Sequence, residues 1–235
     1  MVKIALNGFG RIGKLAFRRL IDNDISVAFI NDKNGDPDLF AHLLEFDTVH
    51  GRWSRSISND SVSLTVDNQK IPVLHEENIF NLPLDEIDIV IDCTGFFKSE
   101  QLLAQYFKKG VQKVIVSAPV KTGTVANLVY GVNDNIYDPN MHNIVTAASC
   151  TTNCLAPIVK VVHESLGIKH GSITTIHNVT NTQTIVDRPL KDFRRSRSAL
   201  NSLIPTTTGS ATAINLIYPE LNGKLDGIAM RVPVP

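Results

Sequence analysis

Short apolar runs recur along the first two thirds of the chain, and each is broken by a turn signal. Residues 2–6 run into Asn7-Gly8, and Val27–Ile30 runs into Asn31-Asp32. Ile87–Asp92 ends at Cys93-Thr94-Gly95, Val114–Ser117 at Ala118-Pro119, and Ile144–Ala147 at Ala148-Ser149. Continuous apolar runs of this length read as strands covered on both faces. Helical stretches over about Arg11–Ile21 and Ser99–Lys109 fall between them. The alternation predicts an α/β fold with a Rossmann-type doubly wound parallel sheet. The stretch from Phe40 to Val73 is less regular, with strand candidates around Ser61–Val66.

Later in the chain the pattern changes. A helix is expected over about Leu155–Leu166, then a β-branched strand from Ser172 to Thr180 with His177 near its end. Asn181 to Ser202 is polar and without a clear period. Pro205-Thr206-Thr207-Thr208-Gly209-Ser210 reads as the opening of a helix through about Ile217, and Gly227–Val232 as a final strand. These elements predict one domain over residues 1–149 and a second, α+β domain over 150–235, divided at the turn Ser149-Cys150.

Composition narrows the function classes. The 235 residues are 43% hydrophobic and 20% charged, with 23 basic against 23 acidic side chains. That balance argues against a polybasic surface for nucleic acid or anionic lipid. The N-terminal residues lack an apolar signal core, and no stretch approaches a membrane span in length. Cys93, Cys150 and Cys154 fit neither a disulfide framework nor a zinc spacing, so no metal site is expected. The reading is a cytoplasmic, reduced protein.

Two regions carry candidate chemistry. Gly8-Phe9-Gly10-Arg11-Ile12-Gly13 is a G-x-G-x-x-G after a strand and opening a helix, the placement a dinucleotide pyrophosphate needs. Asp32 ends the second strand, where a carboxylate would hold the adenosine ribose and disfavour a 2′-phosphate, so NAD is expected over NADP. Thr94, Gly95 and Ser117 follow strand ends and are candidate cofactor contacts. In the second region Cys150 stands at a strand-to-helix turn, where unpaired N–H groups and the helix dipole favour a thiolate. With His177 it supplies the components of a thiolate–imidazolium pair. Arg231, in an apolar strand, calls for an anionic partner. The hydroxyls and glycine at 206–210 form a further candidate anion site.

Asn7-Gly8-Phe9-Gly10-Arg11-Ile12-Gly13, Ala148-Ser149-Cys150-Thr151-Thr152-Asn153-Cys154, Pro205-Thr206-Thr207-Thr208-Gly209 and Met230-Arg231-Val232-Pro233 together resemble phosphorylating glyceraldehyde-3-phosphate dehydrogenases along the whole chain. Residues 43–53, 180–185 and 208–213 are similar to the paralogues associated with arsenate resistance. The resemblance implies that Cys150 attacks the aldehyde and that His177 acts as base. It implies that Thr180 and Arg231 bind the substrate phosphate, and that Ser149, Thr151, Arg195, Thr208 and Gly209 lie at or near the attacking phosphate or arsenate. Gly8, Gly10, Arg11, Ile12, Gly13, Asp32, Thr94, Gly95 and Ser117 would line the NAD site, and the full-length protein is expected to be a homotetramer. Val179, Thr182, Thr184, Leu190 and Glu77 depart from the family's usual residues, and relaxed NADP use stays open through Arg188. The family continues beyond the arginine strand, so the chain is expected to be C-terminally truncated, with an unpaired sheet edge and exposed apolar surface. The alternatives are another phosphorylating aldehyde dehydrogenase, of erythrose 4-phosphate or semialdehyde type, and a truncated NAD-binding module without catalysis.

Overall fold

The computed structural model describes residues 2–120 and 122–234; Met1, Lys121 and Pro235, the expected truncation point, lie outside the described residues. The chain divides into two compact units, one of Met1–Leu128 with Asp134–Ala148, the other of Val129–Asn133 with Ser149–Pro235.

The first unit begins with β1 (Ile4–Asn7), α1 (Arg11–Asp22), β2 (Val27–Asn31) and α2 (Pro37–Glu45). A short antiparallel pair follows, β3 (Phe46–Asp47) with β4 (Gly51–Arg52), and then β5 (Ile57–Asp60), β6 (Ser63–Val66) and β7 (Gln69–Leu74). The remainder is β8 (Ile89–Asp92), α3 (Glu100–Phe107), β9 (Lys113–Val116), β10 (Ala126–Asn127) and β11 (Ile144–Thr146). One sheet takes nine of these strands in the order β10-β11-β9-β8-β1-β2-β7-β6-β5. Pairing is parallel from β10 to β7 and antiparallel from β7 to β5.

The strands β7-β2-β1-β8-β9-β11 reproduce the doubly wound order, in which the chain reverses its direction of progress on either side of β1. Alternation along β1 shows why both faces are covered. Ala5 packs with Phe29, Val90, Leu103, Tyr106 and Val114, whereas Leu6 packs with Phe17, Ile30, Phe40, Leu44 and Trp53. Helix α3 thus lies on one face, and α1 and α2 on the other.

The segment expected to be irregular holds α2 and three antiparallel strands. Asp36 caps α2 by accepting from the Leu39 N–H at 2.8 Å, and Pro37 is preset for the first turn. The strand candidates around Ser61–Val66 correspond to β6, whereas β5 is largely exposed and β7 is buried on one face only, which obscured both.

The second unit contains α4 (Cys150–Leu166), β12 (Gly171–Asn178), β13 (Ile204–Thr207), α5 (Ser210–Ile217) and β14 (Leu225–Val232). Its sheet has the order β12-β14-β13, with β12 parallel and β13 antiparallel to β14. Residues 129–133 belong with this unit: the Lys160 ammonium of α4 donates to the Gly131 carbonyl at 2.8 Å.

Two expectations are corrected here. Helix α4 starts at Cys150 rather than near Leu155, because Ser149 Oγ accepts from the Thr152 N–H at 3.2 Å and caps it there. Pro205-Thr206-Thr207 does not open a helix. Its β-branched residues pair with β14 as a strand, and Pro205 fits at a sheet edge that needs no further donor. Helix α5 begins only at Ser210.

Candidate active site

The carboxyl ends of β1, β2 and β8 form the first candidate region. Gly8 has φ +93°, and a Cβ there would lie 2.5 Å from both the Cys93 carbonyl carbon and the Thr94 nitrogen. Only glycine fits this turn. A Cβ on Gly13 would lie 2.0 Å from the Gly8 carbonyl oxygen, so this glycine lets α1 close on the turn. Gly10 differs: a Cβ there would meet nothing within 4 Å. Helix α1 starts at Gly10 without a side-chain cap, which leaves its first N–H groups directed outward. Space above Gly10 and an uncapped helix start fit a pyrophosphate.

Asp32 ties this loop together. One carboxylate oxygen accepts from the Phe9 N–H at 2.7 Å and the other from the Asn34 N–H at 3.0 Å. A carboxylate has lone pairs left for the ribose hydroxyls, so the position suits both tasks. Arg11, exposed, pairs with the Asp47 carboxylate. Hydrogen bonds from the His50 and Val49 N–H groups and from Arg11 outweigh the cost of desolvation and bring Asp47 down to about 2. Ile12 is 52% exposed, free to pack on a ligand.

Thr94 donates its hydroxyl to Asp92 at 2.8 Å, and Gly95 follows with φ +66°. Ser117, which follows β9, is half-buried; its N–H donates to the Asp92 carbonyl at 2.9 Å, and its hydroxyl bonds the Cys93 thiol. Burial pushes that thiol up to about 11, so Cys93 is inert rather than nucleophilic.

Behind these groups runs a buried chain of hydrogen bonds that the motifs did not reveal. Asn31 donates to Asn7 (2.7 Å), Asn7 to the Tyr106 hydroxyl (2.6 Å), and Tyr106 to Asp92 (2.7 Å). Burial raises Asp92 above its ordinary value, and the hydrogen bonds from Tyr106 and Thr94 offset part of that. The chain fixes the ends of three adjacent strands, the backbone from which the Gly8, Asp32 and Thr94 loops depart. Polar residues closing otherwise apolar strands (Asn7, Asn31, Asp92) were the available signal.

In the second unit Cys150 is exposed at the first position of α4, and its Sγ lies 3.2 Å from His177 Nε2. His177 is carried by β12 directly beside Arg231 in the register of β14. The Arg231 Nη1 lies 2.6 Å from His177 Nδ1 and donates to the Asn178 carbonyl at 2.8 Å. Cys150, His177 and Arg231 therefore form one contiguous group. Burial lowers Arg231 from its ordinary value, the Cys150 charge counters this, and Arg195 adds to it. Among the described residues no carboxylate pairs with Arg231, and its buried Nε has no hydrogen-bond partner.

The remaining candidates bond elsewhere. Thr180 Oγ1 bonds Thr182 Oγ1 and Gln183 Oε1, both at 3.1 Å. Arg195 donates to Thr206 Oγ1 on β13 at 2.6 Å, while its Nε ion-pairs with Asp192 at 3.8 Å. Thr208 Oγ1 accepts from the Ser210 N–H at 3.2 Å, with Gly209 exposed between them at the uncapped start of α5. Ser149 caps α4, and Thr151 lies half-buried in its first turn. Among the described residues, no cluster of His, Cys, Asp or Glu could hold a metal ion, and no helix is long and apolar enough to cross a membrane.

Fold and fingerprint define a dinucleotide-binding α/β protein that also carries a paired cysteine. Residues 2–100 match the model of the glyceraldehyde 3-phosphate dehydrogenase NAD binding domain, and residues 149–235 that of the same family's C-terminal domain. A glyceraldehyde-3-phosphate dehydrogenase 3 of a Nostoc species is 53% identical over 236 residues, 99% of this chain and 70% of its own. The glyceraldehyde-3-phosphate dehydrogenase of Geobacillus stearothermophilus is 48% identical over 100% of this chain and 70% of its own. Glyceraldehyde-3-phosphate dehydrogenase 1 of Bacillus subtilis is 44% identical with the same coverage. The chain belongs to the glyceraldehyde-3-phosphate dehydrogenase family, and its family membership is that of an NAD-dependent oxidoreductase.

Proposed function

We propose that the chain oxidises glyceraldehyde 3-phosphate through a covalent intermediate on Cys150, the first unit binding NAD and the second carrying the chemistry. The 3.2 Å contact between Cys150 Sγ and His177 Nε2, at a capped helix start, is the observation that carries this reading. Cys150 Sγ forms a bond to the aldehyde carbon, and the carbonyl oxygen becomes the hydroxyl of a thiohemiacetal. His177 Nε2 takes the proton of that hydroxyl. NAD, when bound, supplies the acceptor for the hydride leaving the same carbon. The thioester left on Cys150 is cleaved by an inorganic oxyanion, which takes the acyl group and returns the thiolate. While the carbonyl oxygen carries negative charge, the Cys150 N–H and His177 are the donors that stabilise it.

Arg231, cationic and without a carboxylate partner among the described residues, is suited to the substrate phosphate, with Thr180 on the loop after β12. Arg195, Thr208, Gly209, Thr151 and Ser149 are assigned to the attacking oxyanion. In the cofactor site the roles go to Gly8, Gly10, Arg11, Ile12, Gly13, Asp32, Thr94, Gly95 and Ser117. Arsenate has the shape and charge of phosphate and would enter the same site, and the likeness at residues 43–53, 180–185 and 208–213 supports an arsenate-linked role. Three free cysteines support a reducing cytoplasm. Ile176 and Ile228, 65% and 55% exposed on one sheet, support a homo-oligomer, and the family resemblance favours a tetramer.

Cys150→Ser should lower aldehyde-dependent NAD reduction on the order of 10³-fold or more, with no acylated protein found by mass spectrometry. Wild-type turnover rates in that variant would overturn the covalent route. Assaying with phosphate and with arsenate in turn, on aldehydes with and without a terminal phosphate, decides the acceptor and the substrate class.

A further inference from the structure

The buried hydrogen bonds that run from Asn31 to Asp92 have a fixed direction, and the loop after β7 sets it. The Asn31 amide oxygen accepts from the Glu76 N–H at 2.8 Å, and the Asn31 amide nitrogen donates to the Glu76 carbonyl at 2.9 Å. A backbone N–H can only donate and a carbonyl can only accept, so the Asn31 amide has one possible orientation. Its nitrogen then donates to Asn7 Oδ1, which turns the Asn7 amide nitrogen toward the Tyr106 hydroxyl. Having accepted from Asn7, Tyr106 gives its own proton to Asp92 Oδ2. The other carboxylate oxygen, Asp92 Oδ1, accepts from the Thr94 N–H at 3.0 Å and from the Thr94 hydroxyl at 2.8 Å.

Asp92 therefore faces three donors, and a proton of its own would have to point at an atom that already donates. All three donors are neutral, so losing one leaves buried charge without compensation. What hangs on this carboxylate is a loop of the cofactor site. The Thr94 hydroxyl also accepts from the Phe96 N–H at 3.1 Å, so residues 94–96 fold around Asp92. The glycine turn lies against the same loop: a Cβ on Gly8 would sit 2.5 Å from the Thr94 nitrogen, and a shift of one loop is felt by the other. We propose that Tyr106 is a positioning residue for NAD. Its hydroxyl aims Asp92, and Asp92 holds the Thr94 loop, and with it the glycine turn, at the spacing the dinucleotide requires. The inference rests on the assignment of these loops to NAD.

The ring and the hydroxyl of Tyr106 have separate duties. The ring belongs to the core with Phe97, Leu103 and Val114, and meets the Phe97 ring edge-on at 5.8 Å. Phenylalanine fills the same space. Removing the hydroxyl leaves Asn7 Nδ2 without that acceptor and Asp92 Oδ2 without its donor. Asn7 stays held by Asn31 and does not follow. The carboxylate, with one of its three anchors gone, turns about its Cβ–Cγ bond, and the Thr94 loop loses its fixed place. A loop that its ligand must first order binds that ligand more weakly than one already in place. Once NAD fills the site the loop is ordered again, so the loss falls on affinity and not on the chemical step.

The test combines NAD calorimetry on the whole chain with steady-state kinetics on aldehyde and phosphate. Tyr106→Phe should raise the Kd and the KM of NAD about tenfold, with kcat at saturating NAD and the aldehyde KM within about twofold of wild type. Asp92→Asn should weaken NAD by a similar factor. The double variant should lose no more than the worse of the two singles, because the residues act through one another. Leu103→Ala controls for lost stability alone: it empties space in the same core and lowers the urea midpoint, but should leave the Kd of NAD unchanged. An unchanged Kd in Tyr106→Phe, single effects that multiply in the double variant, or a loss in Leu103→Ala equal to that in Tyr106→Phe overturns the proposal. Should Tyr106→Phe fail to fold, Asp92→Asn compared with Leu103→Ala decides in its place. Gly10→Ala separates the two levels of the reading. If it too leaves NAD binding untouched, these loops are not the NAD site; if it weakens NAD while Tyr106→Phe does not, the positioning role alone is overturned.

Discussion

At the residue scale, three glycines of one motif do different work. Gly8 and Gly13 are demanded by the protein itself, since a Cβ at either would enter backbone at 2.5 Å or 2.0 Å. Gly10 is demanded by nothing within 4 Å. Gly8→Ala should therefore cost about 2–4 kcal/mol of stability, from a disfavoured φ and a backbone clash. Gly10→Ala should cost within about 1 kcal/mol yet weaken NAD about tenfold, because its methyl occupies ligand space. Urea titrations and NAD calorimetry on both variants check the contrast. Ala148, with φ +53° just before Ser149, is another residue where local geometry is held against preference, at about 1–2 kcal/mol. The sequence made the glycine pattern and the Cys150–His177 pair legible. It was silent on the Arg231–His177 contact, because proximity across strands depends on register rather than on residue type.

At the scale of elements, the links that matter are side chains reaching from one element to the end of the next. Asp47 on β3 pairs with Arg11 at the start of α1, and its folded value of about 2 lies below that of a free carboxylate. Because the folded value is depressed, Asp47 contributes stability above pH of about 4 and loses that contribution as pH falls through about 2. Asp47→Asn should thus be less stable than wild type at pH 7, with the gap closing toward pH 2; urea midpoints across that range measure it. Buried Arg18 works in a similar way, donating from α1 to the carbonyl of Leu44 at the end of α2 (2.9 Å from Nε). Strands with both faces apolar were readable from their runs. The strands β5, β7 and β13 were not: a strand of Ile-Pro-Thr-Thr offers the same signals as a helix cap until its pairing partner is known.

For the whole molecule, the doubly wound order followed from the succession of elements, whereas the three-stranded sheet did not, since its edge strand β13 reads as a helix start. What succession cannot convey is where a boundary is crossed by a short excursion, as residues 129–133 do when they pack with the second unit. The Lys160 ammonium reaching the Gly131 carbonyl is one of its ties, and no composition change marks it.

The register of β12 with β14 has a consequence in time. His177 and Arg231 meet only when two parallel strands, 54 residues apart in the chain at that point, have closed on each other. Cys150 lies 27 residues before His177, on a helix whose hydrogen bonds are all local. Contacts of large sequence separation form late, whereas helices form early. During refolding from urea, far-ultraviolet circular dichroism should therefore recover before aldehyde-dependent acylation of Cys150 does. A helix that carries the nucleophile is ready well before the chain has set the paired strands beside it, so the newly made thiol passes through an interval in which it is exposed and without its histidine.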